Sequence, residues 1–467
     1  MEVLGIILSL ALLMFFAYRG FSVILFAPIF ALLAASLQGF AIMPSYTELF
    51  MAKAVVYVKS FFPIFMLGAI FGKVMEDTGL AKSIAHAIIK GLGKERAILS
   101  VVLAAIVLTY GGVSLFVVVF AVYPFASALF KEADMPKRLI PGTIALGAFT
   151  ATMDCFPGTP QIQNIIPTNF YGTNLYAAPI SGTLGGILIM ILGMMWLNHR
   201  RKVALAAGEG YGVHTLNETV IDEKLIATLP AWQLAMLPLL LVLVVNYILT
   251  SMVTWDVNTL APFIAMKLPL TAPAVRNVLA IWSLIVGLVA GIILAIALGY
   301  RHLPQGGLQR ALNAGAIGSL LAIMNTASEV GYGNVIASLP GFKDIATFLL
   351  GIRIGSSPLP SEAVTVNVLA GITGSASGGM SIALDLMAKD WLAWAQSINM
   401  SPEILHRVAS MASGGMDTMP HNGAVITLLA VCGLTHKESY LDIFAMTVIK
   451  TSMVFVIILF HTITGLL

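Results

Sequence analysis

Two aspartates, Asp154 and Asp417, occur in the same five-residue pattern, Met-Asp-x-x-Pro, inside otherwise apolar sequence. An aspartate at the centre of a bilayer costs about 2.5–3.5 kcal/mol on insertion scales, so a functional role is the default expectation. Pro157 and Pro420 each interrupt a helix, and a half-helix that begins after the proline presents unpaired N–H groups and a positive dipole end. Such an end suits an anion. Each aspartate could couple an ion, cap the half-helix that it precedes, or do both.

Polar side chains follow both prolines in a region that lipid contact would keep apolar. They supply the hydroxyl and amide groups expected to bind a substrate: Thr159, Gln161, Asn164, Asn422 and Thr427. His421 directly follows Pro420, and an unperturbed imidazole titrates near about pH 6.5. We therefore count His421 with Asp154 and Asp417 as an ion-coupling candidate. A lone histidine in a membrane could instead bond to a backbone carbonyl.

A second duplicated pattern, Gly-Gly-x-Ser, precedes each Met-Asp-x-x-Pro copy at nearly the same offset. Paired glycines could interrupt a helix or form the tip of a re-entrant hairpin, which is tolerated at membrane depth only inside protein or beside water. The predicted tips are Gly111–Ser114 and Ser375–Ser381, with Gly111, Gly112, Ser114, Ser375, Ser377, Gly378, Gly379 and Ser381 as substrate-binding candidates. The alternative is close helix packing, which we predict for the Gly182/Gly186 and Gly287/Gly291 pairs.

Glu329 is a further ion-coupling candidate, because a run of polar residues that includes Asn325, Thr326 and Ser328 precedes it in an apolar segment. Glu76 occupies a related position in the first half of the chain. Lys73 precedes it at helical spacing, so we expect Glu76 to form a local ion pair rather than a site.

Composition places the chain in a membrane. It is 58% hydrophobic and 10% charged, with a mean hydropathy of +0.94, and several apolar runs reach the roughly 20 residues that cross a bilayer as a helix. The net charge of +3 does not indicate nucleic acid, since the charges lie mostly in loops. Two cysteines give no disulfide framework or metal site. No nucleotide, zinc-protease or nucleophile-elbow motif appears, so neither an enzyme nor a cofactor is predicted.

A polar segment divides the chain into two blocks. We predict a first membrane repeat at 1–197, a cytoplasmic linker at 198–230 and a second repeat at 231–467, with the basic cluster His199–Lys202 fixing the linker inside. The loops indicate opposite senses for the two blocks. The predicted fold is an all-α polytopic membrane protein of two inverted-topology repeats with broken helices and re-entrant hairpins, an architecture typical of secondary transporters.

The motif cores contain no Arg or Lys, which suits a small monocarboxylate with hydroxyl groups better than a tricarboxylate. Arg407 or Lys450 could still approach in three dimensions. We predict proton-coupled symport of such an anion. A sodium-coupled symporter is the nearest alternative, and an anion channel built on similar re-entrant segments is a different class.

Three segments carry a resemblance to a known family: Leu108–Phe116, Phe156–Pro167 and Met411–Gly423. They resemble the gluconate permease family, and the likeness runs from about Phe62 to Lys450. The resemblance implies a proton-coupled, homodimeric symporter for gluconate-like hydroxy acids in the bacterial inner membrane, within the ion transporter superfamily. The stretch Met419–Gly423 is closer to the D-beta-hydroxybutyrate permease branch than to gluconate-type members, whose matching stretch reads Ser-His-x-Asn-Asp.

Overall fold

The protein is all-helical in the part of the chain that the structure, a computed structural model, describes. The described residues are 2–19, 21–218, 228–268, 270, 274–303, 307–352, 356–420 and 422–467. Helices satisfy their backbone groups within one segment, which is what a lipid environment demands of apolar sequence. The predicted all-α fold class is confirmed.

The helices of the first half alternate between long apolar segments and shorter pieces. They are α1 (Glu2–Tyr18), α2 (Val23–Leu37), α3 (Met51–Asp77), α4 (Leu80–Leu92), α5 (Ala97–Tyr110), α6 (Leu115–Glu132), α7 (Leu139–Ala148), α8 (Ile162–Tyr171) and α9 (Pro179–Ala206). Ile42–Pro44 and a π-helical turn, Ser45–Phe50, lead directly into α3. A single turn, Ala151–Asp154, follows α7.

The second half has a similar series. Its helices are α10 (Trp232–Ser251), α11 (Val275–Gly299), α12 (Gly307–Ser338), α13 (Phe342–Leu350), α14 (Leu359–Thr373), α15 (Ala376–Ser397), α16 (Pro402–Ser413), α17 (Gly423–Cys432) and α18 (His436–Thr464).

Five described helical segments are long and apolar enough to cross a membrane by length and composition. They are Ile42–Asp77, Pro179–Ala206, Trp232–Ser251, Val278–His302 and His436–Thr464. The segments Glu2–Leu13, Val23–Leu37 and Gly423–Cys432 are shorter apolar helices. The chain is therefore a multi-pass membrane protein, as its composition predicts.

The order of elements in α5 to α9 recurs in α14 to α18. In each series two helices flank a Gly-Ser turn, a third helix is interrupted at the Met-Asp-x-x-Pro motif, a half-helix follows, and a long helix closes the series. The duplicated motifs predict this shared order. That the two series run in opposite senses through the membrane stays a prediction.

Small residues let the long helices approach closely. A Cβ at Gly182 would collide with the Cys155 carbonyl, and one at Gly186 with the Phe156 ring. Gly287 and Gly291 face Val242 of α10 in the same way. Gly287 and Gly291 therefore pack α11 against α10, as their spacing predicts, whereas Gly182 and Gly186 pack α9 against the irregular backbone at Cys155 and Phe156.

The polar segment after the first block does not begin as a loop. Helix α9 continues to Ala206, so residues 198–206 extend it beyond the predicted boundary at 197. The next part docks on the first half through two ion pairs, Arg138–Glu209 at 2.7 Å and Lys137–Glu218 at 2.8 Å. Hydrogen bonds to Glu209 keep the Arg138 guanidinium in place and lower the pKa of that carboxyl below its ordinary value.

Candidate functional site

The first Met-Asp-x-x-Pro motif breaks a helix, as Pro157 predicts. Helix α7 ends at Ala148, one further turn ends at Asp154, and irregular backbone continues to Gln161 before α8 begins at Ile162. The half-helix thus starts several residues after the proline rather than directly after it. Asp154 and Cys155 are buried at this break, and the thiol of Cys155 donates to Asp154 Oδ1 at 2.9 Å.

Side chains from both halves satisfy the backbone of this first break. Arg407 of α16 donates to the carbonyls of Ala177 (2.7 Å from Nη2) and Asp154 (3.2 Å from Nη1). Ser410 adds a bond to the Asp154 carbonyl at 2.8 Å. Arg407 also reaches Asn164 Oδ1 at 3.0 Å. Arg407 is fully buried, so its guanidinium is stabilised by hydrogen bonds to protein oxygens instead of water. One of these is a backbone carbonyl at the helix break.

Two predicted substrate-binding residues also bind this backbone. Asn164 donates to the carbonyls of Thr159 (3.0 Å) and Leu175 (2.9 Å), and the Thr159 hydroxyl donates to the Thr152 carbonyl at 2.6 Å. Both side chains are fully buried. In this conformation they hold the shape of the break.

A buried ion pair lies where the first break contacts Gly414, at the start of the second break. Lys450 of α18 lies 2.7 Å from Asp154 Oδ2, with both side chains at most 1% exposed, and Lys450 Nζ also donates to the Phe149 carbonyl at 2.9 Å. Gly414, the first residue after α16, packs on this pair so tightly that a Cβ would collide with both Asp154 Oδ2 and Lys450 Nζ. Both Arg407 and Lys450 approach the first motif, as the sequence analysis allowed.

The second Met-Asp-x-x-Pro motif also breaks a helix. Helix α16 ends at Ser413 and α17 begins at Gly423, with Asn422 as its N-cap: Asn422 Oδ1 accepts from the backbone N–H groups of Ala424 (2.6 Å) and Val425 (3.3 Å). Thr427, a predicted substrate-binding residue, lies in α17 and donates to the Gly423 carbonyl. His421 lies outside the described residues.

Asp417 has a different role from the capping that its position predicts. Its Oδ1 accepts from the backbone N–H of Ala376, the first residue of α15, at 2.9 Å and from Asn422 Nδ2 at 2.6 Å. It therefore caps α15, a helix from the neighbouring hairpin. Of the roles left open for each aspartate, capping of the half-helix that it precedes is not seen, because Asn422 fills that position at α17 and Asp154 pairs with Lys450.

The first Gly-Gly-x-Ser motif forms the turn between α5 and α6, as predicted. Gly112 has φ +94°, and Ser114 is the N-cap position of α6 without a side-chain cap bond. Gln161 from the neighbouring break donates to the Thr109 carbonyl at 2.7 Å, where α5 ends. Gly111 packs on Leu239 of α10. The turn and the first break are thus one connected region.

The second Gly-Gly-x-Ser motif is displaced from the position that the sequence predicts. The turn between α14 and α15 is Gly374–Ser375, with Gly374 at φ +66°, and Ser377, Gly378, Gly379 and Ser381 all lie inside the first turns of α15. Only Ser375 belongs to the tip. A Cβ at Gly379 would collide with the backbone of Ala370, so this glycine allows the two arms of the hairpin to pack closely.

Glu329 of α12 faces the start of α15. Its side chain is 1% exposed, and a Cβ at Gly378 would collide with its Oε2. Hydroxyl groups surround it: Thr326 lies 3.3 Å from Ser377 across the interface of α12 and α15, and Ser381 and Tyr57 are its other neighbours. Glu76, in contrast, lies 3.3 Å from Lys73, which also pairs with Asp77 at 2.9 Å, so the predicted local pair is confirmed.

Several buried polar residues near the breaks did not enter the predicted site. Tyr57 has a hydroxyl without a hydrogen-bond partner. Tyr171 donates to Glu362, and His406 lies 3.1 Å from Asn164. An acid inside an apolar run, the signal that singled out Asp154, Asp417 and Glu329, was also available for Glu362. Among described residues, no group of three or more His, Cys, Asp and Glu side chains could hold a metal ion.

Comparison with known proteins decides the family. The profile of the GntP family permeases matches residues 1–463. The chain belongs to the GntP permease family. The resemblance to gluconate permeases in the three motif segments is therefore confirmed, and the chain is a membrane transporter.

Two curated relatives support this assignment. The GntP chain is 51% identical, over the whole length of both proteins, to the uncharacterized transporter YxjC of Bacillus subtilis (strain 168). It is 27% identical over 229 residues, 43% of this chain and 47% of the relative, to the high-affinity gluconate transporter of Escherichia coli (strain K12).

A solved structure of Neisseria gonorrhoeae MtrF, described as one of a class of antimetabolite efflux pumps, matches over 93% of this chain and 94% of its own. The identity is 13% and the TM-score is 0.47.

Proposed function

We propose that this GntP transporter carries out proton-coupled symport of a small hydroxycarboxylate, 3-hydroxybutyrate- or gluconate-like, across the bacterial inner membrane. One observation carries the proposal: the two interrupted helices, one from each half, meet at the Asp154–Lys450 pair and at Gly414. Broken helices that face each other at membrane depth are where secondary transporters bind substrate and coupling ion. The 27% identical relative described as a high-affinity gluconate transporter supports the substrate class.

The charges at the two breaks favour a monocarboxylate. Asp154, Asp417, Lys450 and Arg407 sum to zero formal charge. Lys450 is paired with Asp154, and Arg407 donates to carbonyl and amide oxygens of the protein. Neither cation is free for a tricarboxylate. The remaining attractions for an anion are the helix N-termini and the hydroxyl groups, which suit one carboxylate and a hydroxylated chain.

The buried acids divide by their partners. Asp154 has Lys450, and Asp417 has two hydrogen-bond donors. Glu329 has hydroxyl neighbours. Among the described residues, no cation interacts electrostatically with its carboxylate. An acid of this kind can exchange a proton without breaking an ion pair, which supports proton coupling. A homodimer, implied by the family resemblance, belongs to the proposal and is testable by light scattering in detergent.

The test is uptake by proteoliposomes of purified protein. Radiolabelled 3-hydroxybutyrate, gluconate, D-serine and citrate are each offered under an inward proton gradient, an inward sodium gradient, or neither. We expect one of the hydroxycarboxylates to accumulate above equilibrium only with the proton gradient, and a protonophore to abolish the accumulation. Lys450→Met should lose uptake, whereas Lys73→Met, which alters a partly exposed pair, should keep it.

Other outcomes identify other functions. Accumulation that follows sodium alone would establish the sodium-coupled alternative. Movement that only equilibrates the substrate and does not saturate would establish a channel. Citrate accumulation in preference to the monocarboxylates would contradict the charge argument.

A further inference from the structure

A buried carboxylate lies on the N-terminus of α15. Glu329 reaches this position from α12, and its Oε2 atom has no hydrogen-bond partner. The contact is so close that a Cβ at residue 378 would overlap Oε2 unless the Glu329 side chain moved. Helix α15 is 22 residues long, and the N-terminus of such a helix attracts negative charge through its dipole and N–H groups.

The groups around Glu329 are hydroxyls and one further acid. Helix α15 contributes Ser375, Ser377 and Ser381, and α3 contributes Tyr57, whose hydroxyl faces Ser381 and Thr326. The hydroxyl oxygens of Ser381 and Tyr57 also have no hydrogen-bond partner. Three buried oxygens without partners at one point indicate a place where a hydrogen-bonded ligand or proton is accommodated, since buried polar atoms are normally paired.

The charges near this point do not neutralise Glu329. Asp417, at the second break, interacts electrostatically with Glu329, and its charge is also negative. On α3 and α15 the nearest described ion pair is Lys53–Asp385 at 2.7 Å, whose lysine is 40% exposed and already paired. A buried carboxylate without a positive partner is stable when it takes up a proton or a cation, because desolvation penalises the bare charge.

We propose that Glu329 carries the coupling proton and that its charged carboxylate competes with the substrate's carboxylate for the N-terminus of α15. In the empty transporter, ionised Glu329 occupies the positive end of the helix. When Glu329 accepts a proton from water it becomes a neutral acid, and the substrate carboxylate takes its place. The helix end therefore bears one negative charge in either state, so one carboxylate enters with one proton.

This inference rests on the proposed symport and goes beyond it by assigning the proton and the carboxylate to one place. The unpartnered hydroxyls of Tyr57 and Ser381 then act as positioning groups. They can accept from, or donate to, the protonated acid and the substrate hydroxyl when Glu329 is displaced.

The decisive variant is Glu329→Gln, which imitates the protonated acid in shape and charge. Glu76→Gln is the matched control, because it removes an acid from a local pair with Lys73 on α3. Both are reconstituted with wild type, and radiolabelled 3-hydroxybutyrate and gluconate are followed in two assays. Counterflow measures exchange of substrate without a net proton cycle, and accumulation under a proton gradient measures coupling.

We expect Glu329→Gln to retain counterflow while its accumulation ratio falls to about one, with Glu76→Gln behaving as wild type. Binding should separate the variants as well. The apparent Kd of wild type should rise about tenfold per pH unit once Glu329 is ionised, since one proton is linked to each bound substrate, and the Kd of Glu329→Gln should not change with pH.

A measurement on wild type tests the inference even if Glu329→Gln does not fold. At a pH at which Glu329 is ionised in the empty transporter, substrate binding in weakly buffered detergent solution should take up about one proton per substrate, as the linkage requires. Tyr57→Phe removes a hydroxyl that makes no bond, so it should leave thermal stability unchanged and shift the pH profile of uptake.

The inference is overturned if wild type binds substrate without taking up a proton, or if folded Glu329→Gln still accumulates substrate under the proton gradient. It is also overturned if Glu329→Gln folds but loses counterflow. These results differ from failure of the proposed function, in which wild type itself accumulates neither hydroxycarboxylate.

Discussion

Removing both partners of the Asp154–Lys450 pair should destabilise the protein by clearly less than the sum of removing each partner alone. The pair is at most 1% exposed and its atoms lie 2.7 Å apart. Breaking a buried pair leaves an uncompensated charge and costs about 3–5 kcal/mol. Lys450→Met also removes the donor to the Phe149 carbonyl, so we expect it to lie at the upper end of that range. Asp154→Asn should lie at the lower end, because it keeps the shape of the side chain.

The double variant Asp154→Asn/Lys450→Met carries no charge at this point and should recover about 2 kcal/mol or more relative to the sum of the single effects. The measurement is the free energy of unfolding by SDS titration in mixed micelles, arranged as a double-mutant cycle. Lys73→Met serves as the control, since a partly exposed pair contributes at most about 1 kcal/mol.

Two results would refute this reasoning. Single variants that each cost less than about 1 kcal/mol would mean that the pair is hydrated rather than buried. Effects that add to within about 0.5 kcal/mol in the double variant would mean that the two charges do not interact.

Three further outcomes test other parts of the structure. Gly182→Val should abolish folded yield on size-exclusion chromatography because its side chain would overlap the Cys155 carbonyl, whereas Gly68→Ala meets nothing within 4 Å and should fold normally. Asn422→Ala should lower the unfolding free energy by about 1 kcal/mol or more through loss of the α17 cap, and Asn422→Ser, which can still cap the helix without placing a second acid against Asp417, should recover part of it. Glu209 has a lowered pKa because Arg138 stabilises its charged form, so its contribution is present above the ordinary glutamate pKa and is lost as pH falls through the lowered one. Hydrogen exchange of residues 209–218, corrected for the intrinsic rate, should therefore rise at acid pH in wild type and rise less in Glu209→Gln, in which only the Lys137–Glu218 pair can still be lost.

Features set by local chemistry were predictable from the sequence. Irregular backbone around Pro157 and Pro420 was predictable because proline cannot donate a backbone hydrogen bond, although α7 and α16 already end before the prolines, at Ala148 and Ser413. The pair between Lys73 and Glu76 follows from helical spacing alone. Paired glycines at 111 and 112 form a turn because Gly112 adopts a positive φ that other residues avoid.

Features set by tertiary contacts were not predictable. Gly378 and Gly379 belong to the same sequence motif as Gly111 and Gly112, yet they lie within a helix. There they leave room for the Glu329 carboxylate and the backbone of α14. Asp417 caps α15 rather than α17 because the hairpin folds back beside the break. No pattern in one sequence states which distant side chain will take such a position.

The ion pair between Asp154 and Lys450 also bears on the order in which the chain is made. Lys450 lies in α18, so the carboxylate of Asp154 lacks this cation until α18 has left the ribosome. Until then, the Asp154 carboxyl must either stay in contact with water or the insertion machinery, or be protonated. A fragment that ends before α18 is expected to be recognised by membrane proteases, because its polar interior has not yet been closed.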